Sequence, residues 1–286
     1  MMAKDTFLNR KTTLNIKGRL FDLRTPQVMA ILNITPDSFY PASRTASVED
    51  AVEKTGGFLS AGATIIDIGA YSSRPGAEDV AEQEELDRIL PVIEALLKAY
   101  PDVVISIDTF RASVAQAAVE AGAHIINDIS GGALDAKMFE TVAKLKVPYI
   151  LMHMKGTPQT MQQECHYDDI VLELVDYFSR KLAALRALGV KDIILDPGFG
   201  FAKNRDQSYE LLNHLEDLKI FGLSYLVGFS RKSMIAKFLK VEPAAALNGT
   251  TVLNTIALQK GASILRVHDV TPAMECIKLV ERTQRR

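Results

Sequence analysis

Short apolar, β-branched runs recur along nearly the whole chain, at residues 28–32, 64–68, 103–107, 124–127, 149–152, 192–195, 225–227 and 263–267. Most are almost continuously apolar rather than alternating, the pattern of strands covered on both faces, as in an all-parallel sheet. The segments between them have helical spacing. Leu86, Ile89, Leu90, Ile93, Leu96 and Leu97 fall three or four residues apart within 80–99, and Leu172, Leu174, Val175, Phe178, Leu182 and Leu185 do so within 170–188, so each helix would lay one face on the sheet. Eight strands alternating with helices, with no long linker or low-complexity tract between them, predict a single (β/α)8 TIM barrel over residues 28–286; an open doubly wound sheet is the lesser reading. Residues 1–27 are predicted to form an extension carrying a small hairpin, 13–16 and 20–23 about Gly18 and Arg19, capping the bottom of the barrel.

The 286 residues suit one such barrel, and 48% apolar with 24% charged residues supplies one large core. Lys and Arg number 33 against 35 Asp and Glu, a formal charge of -2, which leaves no broad basic face for nucleic acid or anionic lipid. Any anion must therefore meet a local cluster. The two cysteines, Cys165 and Cys276, stand in no CxxC or zinc-ligand spacing, consistent with a reducing cytoplasm. Residues 1–13 are polar and nowhere do 18 apolar residues run together, so an unexported chain with no membrane partner is expected.

Chemistry in this fold sits at the C-terminal ends of the strands, and those ends are unusually polar. In order they read Asn33-Ile34-Thr35-Pro36-Asp37-Ser38-Phe39, then Asp67 leading into Ser72-Ser73-Arg74-Pro75-Gly76, Asp108-Thr109, Asn127-Asp128, Met152-His153-Met154, Asp196-Pro197-Gly198-Phe199-Gly200-Phe201, Gly228-Phe229-Ser230-Arg231-Lys232 and Arg266-Val267-His268-Asp269. A single Asp or Asn at such a place usually caps a helix or a turn, and Asp128 and Thr109 keep that role. Eight coincident polar ends call for a ligand, because an unpaired buried polar group costs about 1–3 kcal/mol. Asp67, Asp108, Asn127 and Asp196 offer acceptors for the amino and ring N–H groups of a guanidine-like edge, such as a pterin presents, and Asn127 and Lys232 also donate. Arg266 and His268, two apart on the last run and beside Asn33 across the barrel seam, form a compact anion site. It suits a diphosphate with a divalent cation on the Asn33 oxygen.

Together these motifs, with Ser106-Ile107-Asp108-Thr109 and Ile126-Asn127-Asp128-Ile129, resemble the bacterial dihydropteroate synthases, in order from about residue 28 to the C-terminus. The resemblance implies a pterin-binding barrel that condenses 6-hydroxymethyl-7,8-dihydropterin diphosphate with 4-aminobenzoate, giving 7,8-dihydropteroate and diphosphate in folate synthesis. It places the pterin on Asp108, Asn127, Asp196 and Lys232, and the diphosphate and Mg2+ on Asn33, Arg266 and His268; the strand-end reading adds Asp67 as a further pterin acceptor and Met152 as a side chain able to pack on the pterin face. Ser73, Arg74, Phe201 and Ser230 fall in or beside the aminobenzoate pocket, where sulfonamides compete. It further implies a homodimer packed through helices late in the barrel. Two departures stand out: Gly69-Ala70-Tyr71-Ser72-Ser73-Arg74 replaces the usual Gly-Gly-Glu-Ser-Thr-Arg, and Ala202 stands where glycine is common before Lys203.

The chemistry expected is a dissociative displacement, with catalytic roles for Asp108, Asp196, Lys232 and Asp37. Asp108 and Asp196 would stabilise the cationic pterin, Mg2+, Arg266 and His268 the departing diphosphate, and the loops carrying Asp37 and Arg74 would close against water. Three rivals compete. Lys232 would be a Schiff-base lysine in a barrel aldolase, its pKa lowered by Arg231; a pterin-dependent methyltransferase domain would need a corrinoid partner; a binding module would lack catalysis. His124 and His214 read as packing or surface residues, and His153 as a pocket wall.

Overall fold

The computed structural model describes residues 10–34, 44–71 and 80–284. A hairpin of β1 (Thr13–Ile16) and β2 (Arg19–Asp22) precedes β3 (Gln27–Asn33), α1 (Arg44–Ser60), β4 (Ile65–Gly69), α2 (Glu82–Ala99), β5 (Val104–Asp108), α3 (Ala112–Glu120), β6 (Ile125–Asp128), α4 (Met138–Leu145) and β7 (Tyr149–Met152). The chain continues through α5 (Ile170–Ala187), β8 (Ile193–Asp196), α6 (Arg205–Asn213), β9 (Ser224–Val227), α7 (Ser233–Leu239), α8 (Leu247–Gln259), β10 (Ile264–Val267) and α9 (Val270–Gln284). Strands β3 to β10 are all parallel and close into a barrel, with β10 paired to β3 through Arg266 opposite Met29. That seam rules out the open sheet. Each predicted strand is present to within two residues, and the hairpin lies where the alternation near the N-terminus places it.

Side chains along each strand alternate between the barrel interior and the helix layer, and this alternation sorts the apolar runs into two cores. Val28, Ala30, Ile66, Ile68, Ile105, Ile107, Leu151, Leu195, Val227 and Leu265 face outward and pack under Ile89, Ile93, Leu174, Phe178 and Ile277 of the helices. Met29, Ile65, Ile125, Ile150, Ile194, Leu226 and Ile264 face inward and form one closed layer near the bottom, covered by Leu14 and Ile16 of β1 and by Leu23. Local signals set the helix starts: Asp169 accepts from Val171 N and Leu172 N ahead of α5, and Asn204 and Gln207 form a reciprocal capping box at α6.

Two residues above the apolar floor, the same inward positions are Ile31, Asp67, Ser106, Asn127, Met152, Asp196, Gly228 and Arg266. The barrel interior thus changes from hydrocarbon to polar groups within one strand repeat. Among the described residues no helix is long and apolar enough to cross a membrane. Leu14, 2% exposed under the barrel floor, tests the cap: Leu14→Ala is expected to lower unfolding stability by about 2–5 kcal/mol in urea titrations, with the native far-UV spectrum retained.

Candidate functional site

Arg266 reaches inward from β10 across the barrel mouth. Its Nε donates to Asp67 Oδ2 at 2.6 Å and its Nη2 to Asp108 Oδ2 at 2.7 Å, while Asn127 Nδ2 donates to the same Asp67 oxygen at 3.0 Å. One guanidinium therefore ties β10 to β4 and β5. Asp67 Oδ1 and the Ser106 hydroxyl are buried with no partner among the described residues, a cost that a bound donor or water relieves. Burial pushes the Asp108 carboxyl up, Arg266 pulls it back and Asp67 pushes it again, and it stands raised to about 7.

Asp196 occupies the other side of the mouth, 7% exposed, its Oδ1 accepting from Gly198 N at 2.8 Å. Burial raises its pKa, against the opposing pull of Lys232. Lys232, at the start of α7, donates to Phe199 O at 2.6 Å and lies 4.7 Å from the centre of the Phe201 ring. Burial lowers its ammonium to about 8 despite the Asp196 carboxylate, with Arg266 lowering it further. Ser230 Oγ and His268 Nδ1 are 2.8 Å apart. Gly69 leaves room at the rim: a Cβ there would sit 3.4 Å from Asp108 Cβ and 3.8 Å from Asn33 Oδ1, so a side chain would crowd the space between them.

The model for the pterin binding enzymes matches residues 29–268. Escherichia coli K12 dihydropteroate synthase is 44% identical over 273 residues, covering 93% of this chain and 95% of that protein. This chain belongs to the dihydropteroate synthase family. Among solved structures, the Yersinia pestis dihydropteroate synthase with a sulfonamide drug is similar at a TM-score of 0.89 and 44% identity, over 95% of this chain and 99% of that one. The Xanthomonas albilineans dihydropteroate synthase with 4-aminobenzoic acid gives 0.88 at 37% identity, over 96% and 98%.

The barrel mouth brings together Asp67, Asp108, Asn127, Met152, Asp196, Lys232 and Arg266, with Phe201, Ser230, Asn33 and His268 around them. Asp37, Ser73 and Arg74 lie outside the described residues. Three details differ from the sequence reading. Arg266, expected to face an anion, spends its donors on two carboxylates. Arg231 does not act on Lys232: its guanidinium pairs with Asp269 at 2.8 Å and 2.9 Å, and burial is the main cause of the lowered Lys232 pKa. His153 is not a pocket wall. It is wholly buried behind the β8–α6 loop, against Lys203 Nζ at 2.8 Å.

The turn and packing roles expected elsewhere are present. Asp128 accepts from Ser130 N, Gly132 N and the Tyr149 hydroxyl, and His124 Nδ1 accepts from Ile105 N. Sequence reasoning missed Lys203, which is 3% exposed, and the two arginines that hold the described ends of the β4–α2 loop. Arg88 Nη1 donates to Ala70 O at 3.0 Å and Arg111 Nη2 to Val80 O at 2.7 Å. Tyr71, one of the departures, stacks edge-on against Phe110 at 5.0 Å and accepts from Gln159 Nε2. Buried Lys and Arg look like surface residues in a sequence, and only the glycine-rich apolar stretch just before Lys203 hinted otherwise.

Removing the bridge is expected to be costly. Arg266→Met leaves Asp67 and Asp108 buried without their cation and should destabilise by about 3–5 kcal/mol. The deficit is pH-dependent. Asp108, already raised in the folded protein, is pushed higher, so the variant keeps its stability at low pH, where the group is protonated, and loses it as pH rises through that raised value. Urea unfolding at pH 5 and pH 8 should show the larger deficit at pH 8.

Proposed function

We propose that this chain condenses 6-hydroxymethyl-7,8-dihydropterin diphosphate with 4-aminobenzoate, releasing 7,8-dihydropteroate and diphosphate. The observation that carries the reading is the inward polar layer of Asp67, Asn127 and Asp196 set directly above an apolar barrel floor, with Asp108 one inward step higher on β5. Its acceptors match the amino and ring N–H groups of a pterin, Lys232 supplies a donor, and Met152, 2% exposed, packs against the ring.

Arg266 and His268 face the departing diphosphate, Arg266 exchanging part of its carboxylate pairing for phosphate oxygens. The methylene carbon–oxygen bond breaks with its electrons on diphosphate, and the arylamine nitrogen then bonds to the methylene carbon and loses a proton. Asp108 and Asp196, both carboxylates, stabilise the cation between those events. Phe201 and Ser230 flank the aromatic amine, where sulfonamides would compete. Among the described residues no three His, Cys, Asp or Glu are grouped to hold a metal, so the Asn33 oxygen, a hard donor at the rim, would hold Mg2+ only together with diphosphate oxygens. Bound there, the ion would neutralise charge on the leaving group.

The working form on this reading is a cytoplasmic homodimer. Exposed Phe238 and Leu239 of α7 and Val252 of α8 supply apolar surface late in the barrel. Both cysteines are free thiols, as a reducing compartment allows. The Schiff-base alternative loses the Arg231 activation it relies on, since that guanidinium is paired with Asp269.

Diphosphate release and dihydropteroate formation, followed together with Mg2+, with and without 4-aminobenzoate, test the reaction; pterin binding without turnover would overturn it. The pH profile tests the roles. The Asp108 carboxylate is needed ionised and the Lys232 ammonium protonated, so kcat/KM should rise with pH through about 7 and fall again above about 8. Asp108→Asn should remove the acidic limb and lower kcat/KM by about 10²–10³-fold.

A further inference from the structure

The loop from Pro197 to Lys203 carries no regular secondary structure, yet each carbonyl from Gly198 to Ala202 accepts a side-chain donor. Lys203 Nζ donates to Gly198 O and Phe201 O, both at 3.1 Å. Lys232 Nζ takes Phe199 O, Gln162 Nε2 takes Gly200 O at 3.3 Å, and the Tyr167 hydroxyl takes Ala202 O at 2.7 Å. Lys203 also reaches His153 O at 3.2 Å and His153 Nδ1 at 2.8 Å. A single ammonium thus pins both ends of the loop to the end of β7.

That degree of fixing is needed because the loop is conformationally awkward. Gly198 and Gly200 sit at φ +70° and +80°, and Ala202, which is not glycine, at +47°. A Cβ on Gly198 would collide with the His153 carbonyl oxygen, so the loop lies directly on the β7 end. Burial, and then the Lys203 charge, hold the His153 ring neutral, with its pKa down to about 2, so Nδ1 can present a lone pair to the ammonium. Burial also lowers Lys203, to about 7, opposed by Asp196.

Lys203 lies behind the loop, with its contacts on backbone oxygens and His153, while the Phe201 ring and Phe199 O meet Lys232 on the other side. Resting on the proposed condensation, we infer that Lys203 is a positioning residue: by latching the β8–α6 loop to β7 it sets the Phe201 ring as the shelf on which the aromatic amine is received, while the buried Phe199 ring anchors the loop against Phe229. Asp196 keeps its own hold on Gly198 N and its place beside Lys232. The latch therefore governs the amine subsite more than the pterin subsite.

The test is Lys203→Met in the full chain, which keeps the alkyl stem and removes the ammonium. KM for 4-aminobenzoate is expected to rise about tenfold or more, while KM for the pterin diphosphate stays within about threefold. Amide hydrogen exchange should quicken in residues 198–203 and not elsewhere in the barrel. Unchanged KM values, or both rising together with a general loss of protection, would overturn the inference. If Lys203→Met fails to fold, Tyr167→Phe, which removes only the bond to Ala202 O, carries the test: a rise of about threefold in the 4-aminobenzoate KM alone is expected, and no change overturns it. If the unaltered enzyme shows no turnover, the synthase reading falls, and local quickening of exchange in Lys203→Met still decides whether the latch exists.

Discussion

A carboxylate inside a barrel must be paired, and here two of them, Asp67 and Asp108, share the single guanidinium of Arg266. The bridge spans the seam, because Arg266 belongs to the last strand while its partners stand on the second and third strands of the barrel. Closure of the barrel and assembly of the polar mouth are consequently one event. An ion pair of this kind is weak as a source of stability, since desolvation offsets much of its attraction. Its value, on the proposed condensation, lies in holding carboxylates in a dry site where a cationic transition state would use them.

The second constraint is that positive charge is kept on both sides of the Asp196 loop without being interchangeable. Lys232 stands at the mouth and faces Asp196, Phe199 O and the Phe201 ring; Lys203 lies behind and faces carbonyls and a neutral histidine. Burial lowers both, and Asp196 pulls both upward. The Asp196 carboxylate, assigned to the pterin in the proposed reaction, thus also helps keep the two lysines protonated. The aromatic shelf follows from that arrangement, since a loop with three left-handed residues between 198 and 202 holds its shape only while its carbonyls are occupied.

Much of the fold could be read from one dimension. Near-continuous apolar runs signal strands covered on both faces, and their alternation with amphipathic segments specifies a parallel, helix-wrapped sheet. The polar members of the site were legible too, because Asp67, Asn127, Asp196 and Arg266 interrupt runs that are otherwise hydrocarbon. Their depth was less so. Asp67 looks like a strand end, yet β4 continues to Gly69, and the carboxylate lies in the second inward layer, reached by counting residues in twos from Ile65.

Strand and helix order, the polar character of one barrel end and the residue types available there follow from local periodicity and composition. Which charges meet depends instead on the closed barrel. Arg266 lies 199 residues from Asp67 and 158 from Asp108, and Lys203 lies 50 from His153. Pairing at such separations is set by closure of the barrel and by which side chains lose water together, not by spacing along the chain. The same reason explains why Arg231, adjacent to Lys232, belongs to Asp269 instead: at the turn into α7, neighbouring side chains point to different partners.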